Sequence, residues 1–407
     1  MRILHLADVH LDTSFAGRTP RVRARLRQAT RDAFRHAVEL ALERRVDVVV
    51  VAGDLFDGER LSFESERFLL FQLQRLSDEG IPVIYATGNH DPGSRRSREL
   101  IWPPDVIVVD DPSPRRIAVR NPTGEPVGWV TAAGHASAHE TQDLAAAFPR
   151  PEGELPEVAV LHTQVVDSRD AAAHEPYAPT ALETLTRSGY DYWALGHVHL
   201  RQTLSRLPGV RYPGNLQGRT PRESGAKGAL LVEVSRGLEP RVEFVPLAPI
   251  RWVDLELACD AETLDQLVRH IRDRWGGFLE GEEKRDVEWI VRVRLRGPSP
   301  LWREMESEEE RAYLAGELEE VLGVLEVRLS TEAVHPPVDS REHRDREDVL
   351  GTALRLLELV REGRIELTGL PDELRAAPDP DALPGYLASI LQGAGGDLAS
   401  RLLAPED

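Results

Sequence analysis

Five short polar stretches, each following an apolar run, hold the residue types that could do chemistry in this chain of 407 residues. They are Asp8-Val9-His10, Gly53-Asp54-Leu55-Phe56-Asp57, Gly88-Asn89-His90-Asp91, the single His162, and Gly196-His197-Val198-His199. As candidate metal ligands they offer two carboxylates (Asp8, Asp54), one amide (Asn89) and four imidazoles (His10, His162, His197, His199). Seven such groups are too many for one ion and suit two ions that share a bridge, for which the two-oxygen carboxylate of Asp54 is the natural choice. In extended chain, residues i and i+2 point the same way, so Asp8 and His10 can share one ion, as can His197 and His199 or their partners. A nitrogen and oxygen shell without sulfur suits Mn, Fe or Zn better than Mg or Ca. Two ions roughly 3.5–4 Å apart polarise a phosphoryl group and clamp an in-line displacement, so the expected reaction is phosphoester hydrolysis by a metal-bound hydroxide. His90, next to Asn89, is the candidate that would act without binding metal, protonating the departing oxygen or stabilising the transition state. Asp91 is placed to orient His90, and Asp57 to orient a ligand. The plainer reading of both is turn chemistry, since Asp-Pro and Asp-Gly are ordinary loop pairs.

Those stretches need elements to carry them. The runs Ile3 to Ala7, Val46 to Ala52, Ile81 to Thr87, Val158 to Leu161 and Tyr192 to Leu195 read as strands buried on both faces. Ligands in open α/β sheets collect outside the carboxyl ends of such strands, so all five are expected to deliver their side chains to one edge of one sheet. A helix pattern opening at Pro20 and another over Ser62 to Asp78 give a β-α-β-α-β start. Residues 105–134 read as short strands, a short helix is expected near Thr141 to Ala147, and residues 201–245 read as a largely antiparallel second half. The sum is an α/β fold, a four-layer αββα sandwich. On the first helix, Arg23, Arg27, Arg31 and Arg35 line up at i,i+4, either as a solvated face or as a contact for phosphates. His135 and His139 have helical ligand spacing but lack a third ligand, and read as ordinary loop residues.

The pattern resets near Pro246 to Pro249. Residues 251–333 alternate strand, helix, strand, helix, strand, as a small α+β domain without a catalytic constellation. Val334-His335-Pro336-Pro337 reads as a linker, followed by two amphipathic faces, Val349 to Val360 and Leu383 to Leu391. Helices this short are too small to fold alone, and either pack back on the body or dock on a partner. The expected divisions are 1–248, 249–335 and 336–407.

Composition excludes several classes. No stretch approaches the roughly 18 apolar residues of a membrane span. A single cysteine, Cys259, leaves no intramolecular disulfide and no cysteine metal cluster. With a strand pattern from Met1 onward and no leader architecture, a cytoplasmic location is expected. The net charge of −19 looks adverse to nucleic acid, but residues 1–250 carry only −3 of it. Global acidity bears on solubility and does not exclude a local site for an anionic substrate.

The five stretches resemble the signature of the calcineurin-like metallophosphoesterase family. Within it the chain is similar to the nuclease subunits of DNA double-strand-break repair, the bacterial SbcD/YhaO type. His5 to Asp12, Gly53 to Asp57 and Tyr212-Pro213-Gly214-Asn215-Leu216-Gln217-Gly218-Arg219 carry that similarity. Val9 stands where SbcD-type nucleases commonly have Trp, which favours the YhaO-like branch. The resemblance implies one ion on Asp8, His10, Asp54 and His199, the other on Asp54, Asn89, His162 and His197, and a catalytic His90. It further implies Mn as the metal, DNA exonuclease and endonuclease activity in repair, and a capping domain at 249–335. The tail would dock a coiled-coil ABC-type ATPase subunit, and a homodimer is left open. Rival readings are a phosphoesterase for a small nucleotide or cyclic nucleotide, and a non-catalytic scaffold subunit. The complete ligand set argues against the scaffold, and the appended domains against the small substrate.

Overall fold

A computed structural model of the chain describes residues 1–57, 61–91, 100–166, 168–169, 175–282, 286–337, 340–362, 364, 395 and 398–399. The chain divides into two compact units, Met1–Trp252 with Arg285–Trp289, and Val253–Lys284 with Ile290–Asp407.

The first unit opens with β1 (Arg2–Leu6), α1 (Pro20–Arg44), β2 (Val48–Ala52), α2 (Phe63–Asp78), β3 (Val83–Ala86) and β4 (Val106–Val109). It continues through β5 (Arg115–Arg120), β6 (Pro126–Ala133), β7 (Glu157–His162), α3 (Leu182–Arg187) and β8 (Tyr192–Gly196). The last strands are β9 (Gln202–Ser205), β10 (Gly209–Tyr212), β11 (Gly228–Glu233) and β12 (Arg241–Pro246). They form two six-stranded sheets, β12-β11-β1-β2-β3-β4 and β5-β6-β7-β8-β10-β9. The expectation of one sheet is corrected here. β1, β2 and β3 run parallel in the first sheet and β7 and β8 in the second, so the five motif strands come from both.

Three apolar layers hold this arrangement. Ile3, Val48, Val50 and Ile84 of the first sheet meet Val130, Val158, Val160 and Tyr192 of the second between the sheets. Leu4, Leu6, Val49 and Val51, on alternate positions of the same strands, pack under Ala33, Phe34 and Ala37 of α1 and Leu69 and Leu73 of α2. The period-2 alternation of strands thus feeds two cores at once, which is why these runs are apolar throughout. On the outer face of the second sheet, Trp193, Tyr190 and Phe148 cluster with Leu144 and Leu185. The fourth layer is thin: the six-residue α3, which periodicity did not reveal, and a 3-10 helix at Leu144–Ala147 within the span where a short helix is expected.

Helix boundaries follow local chemistry. Thr19 Oγ1 accepts the Val22 amide ahead of Pro20, and Arg45 closes α1 in the left-handed region at φ 47°. Ser62 caps α2, and Asp12 accepts both the Ser62 amide (2.5 Å) and the Ser65 hydroxyl (2.6 Å), tying the loop after β1 to that helix. Three of the four arginines in the row on α1 have partners within the fold. Arg31 is buried against Gln28, Ser65 and Glu64, Arg27 Nε donates to Thr13 O, and Arg35 pairs with Asp32 and Glu39.

The second unit carries a three-stranded sheet of β13 (Ile250–Ala258), β14 (Glu288–Pro298) and β15 (Glu326–His335), so Val334 and His335 extend a strand rather than begin a linker. Its helices are α4 (Leu264–Glu280), α5 (Trp302–Glu306), α6 (Glu308–Leu322) and α7 (Val349–Arg361). Leu314, Leu318 and Leu322 bury one stripe of α6, and Leu267, Ile271 and Trp275 one of α4. On α7, Leu350 and Leu354 bury against Ala399. The second amphipathic face of the tail, Leu383 to Leu391, lies outside the described residues. Among the described residues no helix is long and apolar enough to cross a membrane.

Candidate metal centre

The chain after three of the motif strands, β1, β2 and β8, adopts an unusual backbone conformation. Asp8, His10 and Asp54 all sit at φ 52° and His197 at φ 106°, a backbone region L-residues avoid. The expected extended pairing of Asp8 and His10 is therefore replaced by two left-handed residues beyond the end of β1. Such conformations cost on the order of 1–3 kcal/mol each and persist where the surroundings over-determine them. The amide of Asp8 donates to Gly53 O and that of His10 to Asp54 O, which locks the first two loops together. The His197 amide donates to both oxygens of Asp8 (3.0 and 3.2 Å), which joins the loops of the two sheets. Gly88 is needed for space: a Cβ there would stand 2.7 Å from the Asp54 nitrogen and 2.8 Å from His162 Cγ.

Hydrogen bonds at the rear of each ring decide where its lone pair points. His162 Nδ1 donates to Ala52 O (3.0 Å), so its Nε2 lone pair faces Asn89 Oδ1 at 2.9 Å and Asp54 Oδ2 at 3.4 Å. His199 Nδ1 donates to Glu223 Oε1 (2.8 Å), so its Nε2 lone pair faces His10 Nε2 at 3.2 Å and Asp8 Oδ1 at 3.9 Å. His10 Nε2 also lies 3.8 Å from Asp54 Oδ2. Acceptors converging on acceptors are the donor set a cation requires, and among the described residues they converge in three groups, one of them His10, Asp57 and His90. Asp8, His10 and His199 make one cluster, Asp8, Asp54 and His162 another, with Asp54 facing both. The ring of His197 stands 5.2 Å from that of His162, with His197 Nε2 on Glu175 O at 3.1 Å.

Comparison with known proteins agrees with this geometry. Residues 1–201 match the calcineurin-like phosphoesterase family. Over 332 residues the chain is 30% identical to the uncharacterized metallophosphoesterase YhaO of Bacillus subtilis, spanning 76% of this chain and 79% of that one. The chain belongs to the calcineurin-like phosphoesterase family. It is 27% identical over 299 residues to the DNA double-strand break repair protein Mre11 of Methanopyrus kandleri, covering 67% of this chain and 62% of that protein. It is 28% identical over 304 residues to the SbcD component of the nuclease SbcCD of Escherichia coli, covering 65% of this chain and 74% of that one. The chain is a metal-dependent phosphodiester hydrolase, and its His/Asp clusters suit two divalent ions.

Without cations the calcineurin-like centre is electrostatically frustrated. Burial, then the neighbouring Asp54, pushes the Asp8 carboxyl well above its ordinary range, and burial and Asp91 push Asp54 up to about 7. Burial drives His10 and His162 well below the ordinary histidine value, so both rings are neutral and ready to bind metal. Metal uptake must then expel protons from carboxylates and not from histidines. The expected result is proton release on Mn addition that is largest near pH 6 and falls as pH rises through about 7, with apparent affinity rising over the same range. Titration calorimetry in buffers of different ionisation enthalpy reads it; uptake without proton release at pH 6 contradicts it.

The candidates around the ligands are placed differently from expectation. Asp91 does not orient His90. It is buried, and its oxygens accept the amides of Gly88 (2.7 Å), Asp54 (2.8 Å) and Phe56 (3.2 Å), stapling two motif loops. Asp57 does that work instead, with Oδ1 3.1 Å from His90 Nδ1 and 3.7 Å from His10 Nδ1. The bond from Asp57 raises the His90 pKa against the opposing effect of burial, which favours a protonated ring. His90 Nε2 stands 4.0 Å from Asp54 Oδ2 with the side chain 41% exposed, within reach of a substrate at the ions.

Sequence reasoning missed three supports. Glu223 holds His199, Asn215 Nδ2 (2.8 Å) and the Arg219 amide (2.6 Å); burial alone would raise its pKa, but the bond from His199 and nearby positive charge hold it well below the carboxylate range. His135 contacts His162 O through Nε2 (2.7 Å), and Lys227 Nζ donates to His199 O (2.9 Å). Partners behind the ligands fix ring orientation and basicity.

Proposed function

We propose that this protein is a two-metal, Mn-type phosphodiesterase that acts as a DNA exonuclease and endonuclease subunit in DNA repair. Asp8, His10, Asp54 and His199 would hold one ion, and Asp54, Asn89, His162 and His197 the other. The observation that carries the reading is the meeting of five strand ends from two sheets, with lone pairs aimed at two points and His90 at the open side. DNA as the substrate is supported by relatives named as a DNA double-strand break repair protein and a nuclease subunit.

The ions, when bound, supply Lewis acidity toward the phosphoryl oxygens and a water of lowered pKa. The chain's own residues do the rest. Asp57 keeps His90 protonated at Nδ1 and turned toward the site, from which the ring donates to the departing oxygen. Glu223 and Ala52 O hold the His199 and His162 tautomers that present Nε2. Asp91 keeps the loops of Asp54 and Asn89 in register. In this proposal residues 249–335 form a capping domain that helps grip DNA. Residues 336–407 dock a coiled-coil ABC-type ATPase subunit of the SbcC/YhaN type, and the assembly is cytoplasmic.

The test is purified protein with Mn and end-labelled linear DNA, beside His90→Asn and a set of small phosphodiesters. DNA degradation should require Mn and fall by about 10²–10⁴-fold in the variant, with metal content unchanged. Turnover of a small diester with DNA left intact, with or without an ATPase partner, would overturn the nuclease reading.

A further inference from the structure

We propose that Arg219 is a catalytic residue of this centre, its guanidinium contacting a non-bridging oxygen of the substrate's phosphoryl group. The inference rests on the phosphodiesterase reading above and adds a group that the ligand motifs do not contain. Arg219 lies in the loop between β10 and β11, at the end of the stretch Tyr212 to Arg219 that carries part of the similarity to the SbcD/YhaO type.

The geometry is built around Asp57. Its Oδ1 holds His90 Nδ1 at 3.1 Å and its Oδ2 stands 3.4 Å from Arg219 Nη1. One carboxylate therefore sets an imidazole and a guanidinium side by side. The backbone of Arg219 is fixed as well, since its amide donates to Glu223 Oε2 at 2.6 Å. Glu223 in turn accepts from His199 Nδ1 through Oε1. Arg219 is thus tied at both its backbone and its head to residues that touch candidate ligands.

Beyond Asp57 the guanidinium has few acceptors. Nη2 approaches His199 Nδ1 at 3.4 Å, but that nitrogen's proton is already given to Glu223, so two N–H groups face each other and no hydrogen bond forms. Nε is buried without a hydrogen-bond partner among the described residues, the Glu223 oxygen being 3.9 Å away. The side chain is 18% exposed, so water reaches little of it. A fixed cation with a planar fork of unmet donors, at the edge of a site for phosphoryl chemistry, is matched to a phosphoryl oxyanion. Arg31, by contrast, spends its donors on Gln28, Ser65 and Glu64.

The test uses the full chain loaded with Mn, in the wild type and as Arg219→Ala, Arg219→Gln and Arg219→Lys. Two readouts are taken: turnover of bis(p-nitrophenyl) phosphate, and equilibrium binding of inorganic phosphate by calorimetry. Expected for Ala and Gln is a loss of about 10²–10³-fold in kcat/KM, the range for removing one preorganised donor. Phosphate binding should weaken in parallel while two ions remain bound. Added guanidinium should restore part of the activity of the Ala variant and none in the wild type, and Lys should retain more than Gln. Unchanged phosphate binding in Ala and Gln, or loss of activity that only tracks loss of metal, would overturn the assignment. If the wild type cleaves the diester and leaves DNA intact, the nuclease reading fails while Arg219 is still decided by these variants.

Discussion

Asp54→Asn is expected to empty the centre of both ions and to lower turnover by about 10³-fold or more, corresponding to roughly 4 kcal/mol of lost transition-state stabilisation. Asp54 Oδ2 faces His162 Nε2 at 3.4 Å, His10 Nε2 at 3.8 Å and His90 Nε2 at 4.0 Å, so one oxygen serves three chain segments. Its Oδ1 accepts the His90 amide at 2.9 Å, a bond the asparagine carbonyl can keep. The substitution therefore removes charge and leaves the loop in place. Stability should move the other way. The Asp54 pKa is raised in the folded protein to about 7, so the native state holds its proton better than the unfolded chain. That contribution is complete below the unfolded value and is lost as pH rises through about 7. Asparagine has no proton to lose. The metal-free variant should consequently melt above the metal-free wild type at pH 8, with the gap narrowing toward acid. Metal analysis, and melting at pH 6 and pH 8 with and without Mn, check both halves. A variant that keeps two ions and full turnover would remove Asp54 from the bridging position.

Gly196→Ala is expected to cost about 3 kcal/mol of stability and to release metal as well. Gly196 ends β8 in the second sheet, and a Cβ there would overlap the carbonyl oxygen of Ala52 in the first, 2.8 Å from its carbonyl carbon and 3.0 Å from His162 Nδ1. The Ala52 oxygen is also the acceptor that sets the His162 tautomer. One methyl group thus presses on backbone from the facing sheet, which cannot swing aside as a flexible side chain would. The denaturation midpoint and the metal content should fall together. Wild-type stability in this variant would show that the sheets can part at this point without cost.

The catalytic half of the chain was legible because strand and motif coincide. Val48–Ala52, Glu157–His162 and Tyr192–Gly196 are apolar on both faces for the reason inferred, burial on both sides, and each ends where its polar stretch begins. Apolar runs cannot tell one sheet from two stacked sheets, since either buries both faces, so the five ends read from sequence as a single edge. Neighbours in sequence misled in a second way. Asp91 follows His90 but turns to the amides of Gly88, Asp54 and Phe56, while Asp57, from another loop, takes the imidazole. Glu223 was out of reach for a related reason. It lies 24 residues beyond His199 in a turn without periodicity, and only the fold brings the two within 2.8 Å. α3 escaped because six residues give too little of a 3.6-residue period to register.

The four left-handed residues of the centre, Asp8, His10, Asp54 and His197, have a consequence for anyone redesigning this chain. Glycine or asparagine would relax each of these turns, so a search for thermal robustness alone would change them early. At these four turns local preference gives way because the side chain is kept for its chemistry. Backbone angles alone would mark these four together with Asp12, Phe15, Arg45 and Ala178, and only the side-chain chemistry separates the centre from the rest.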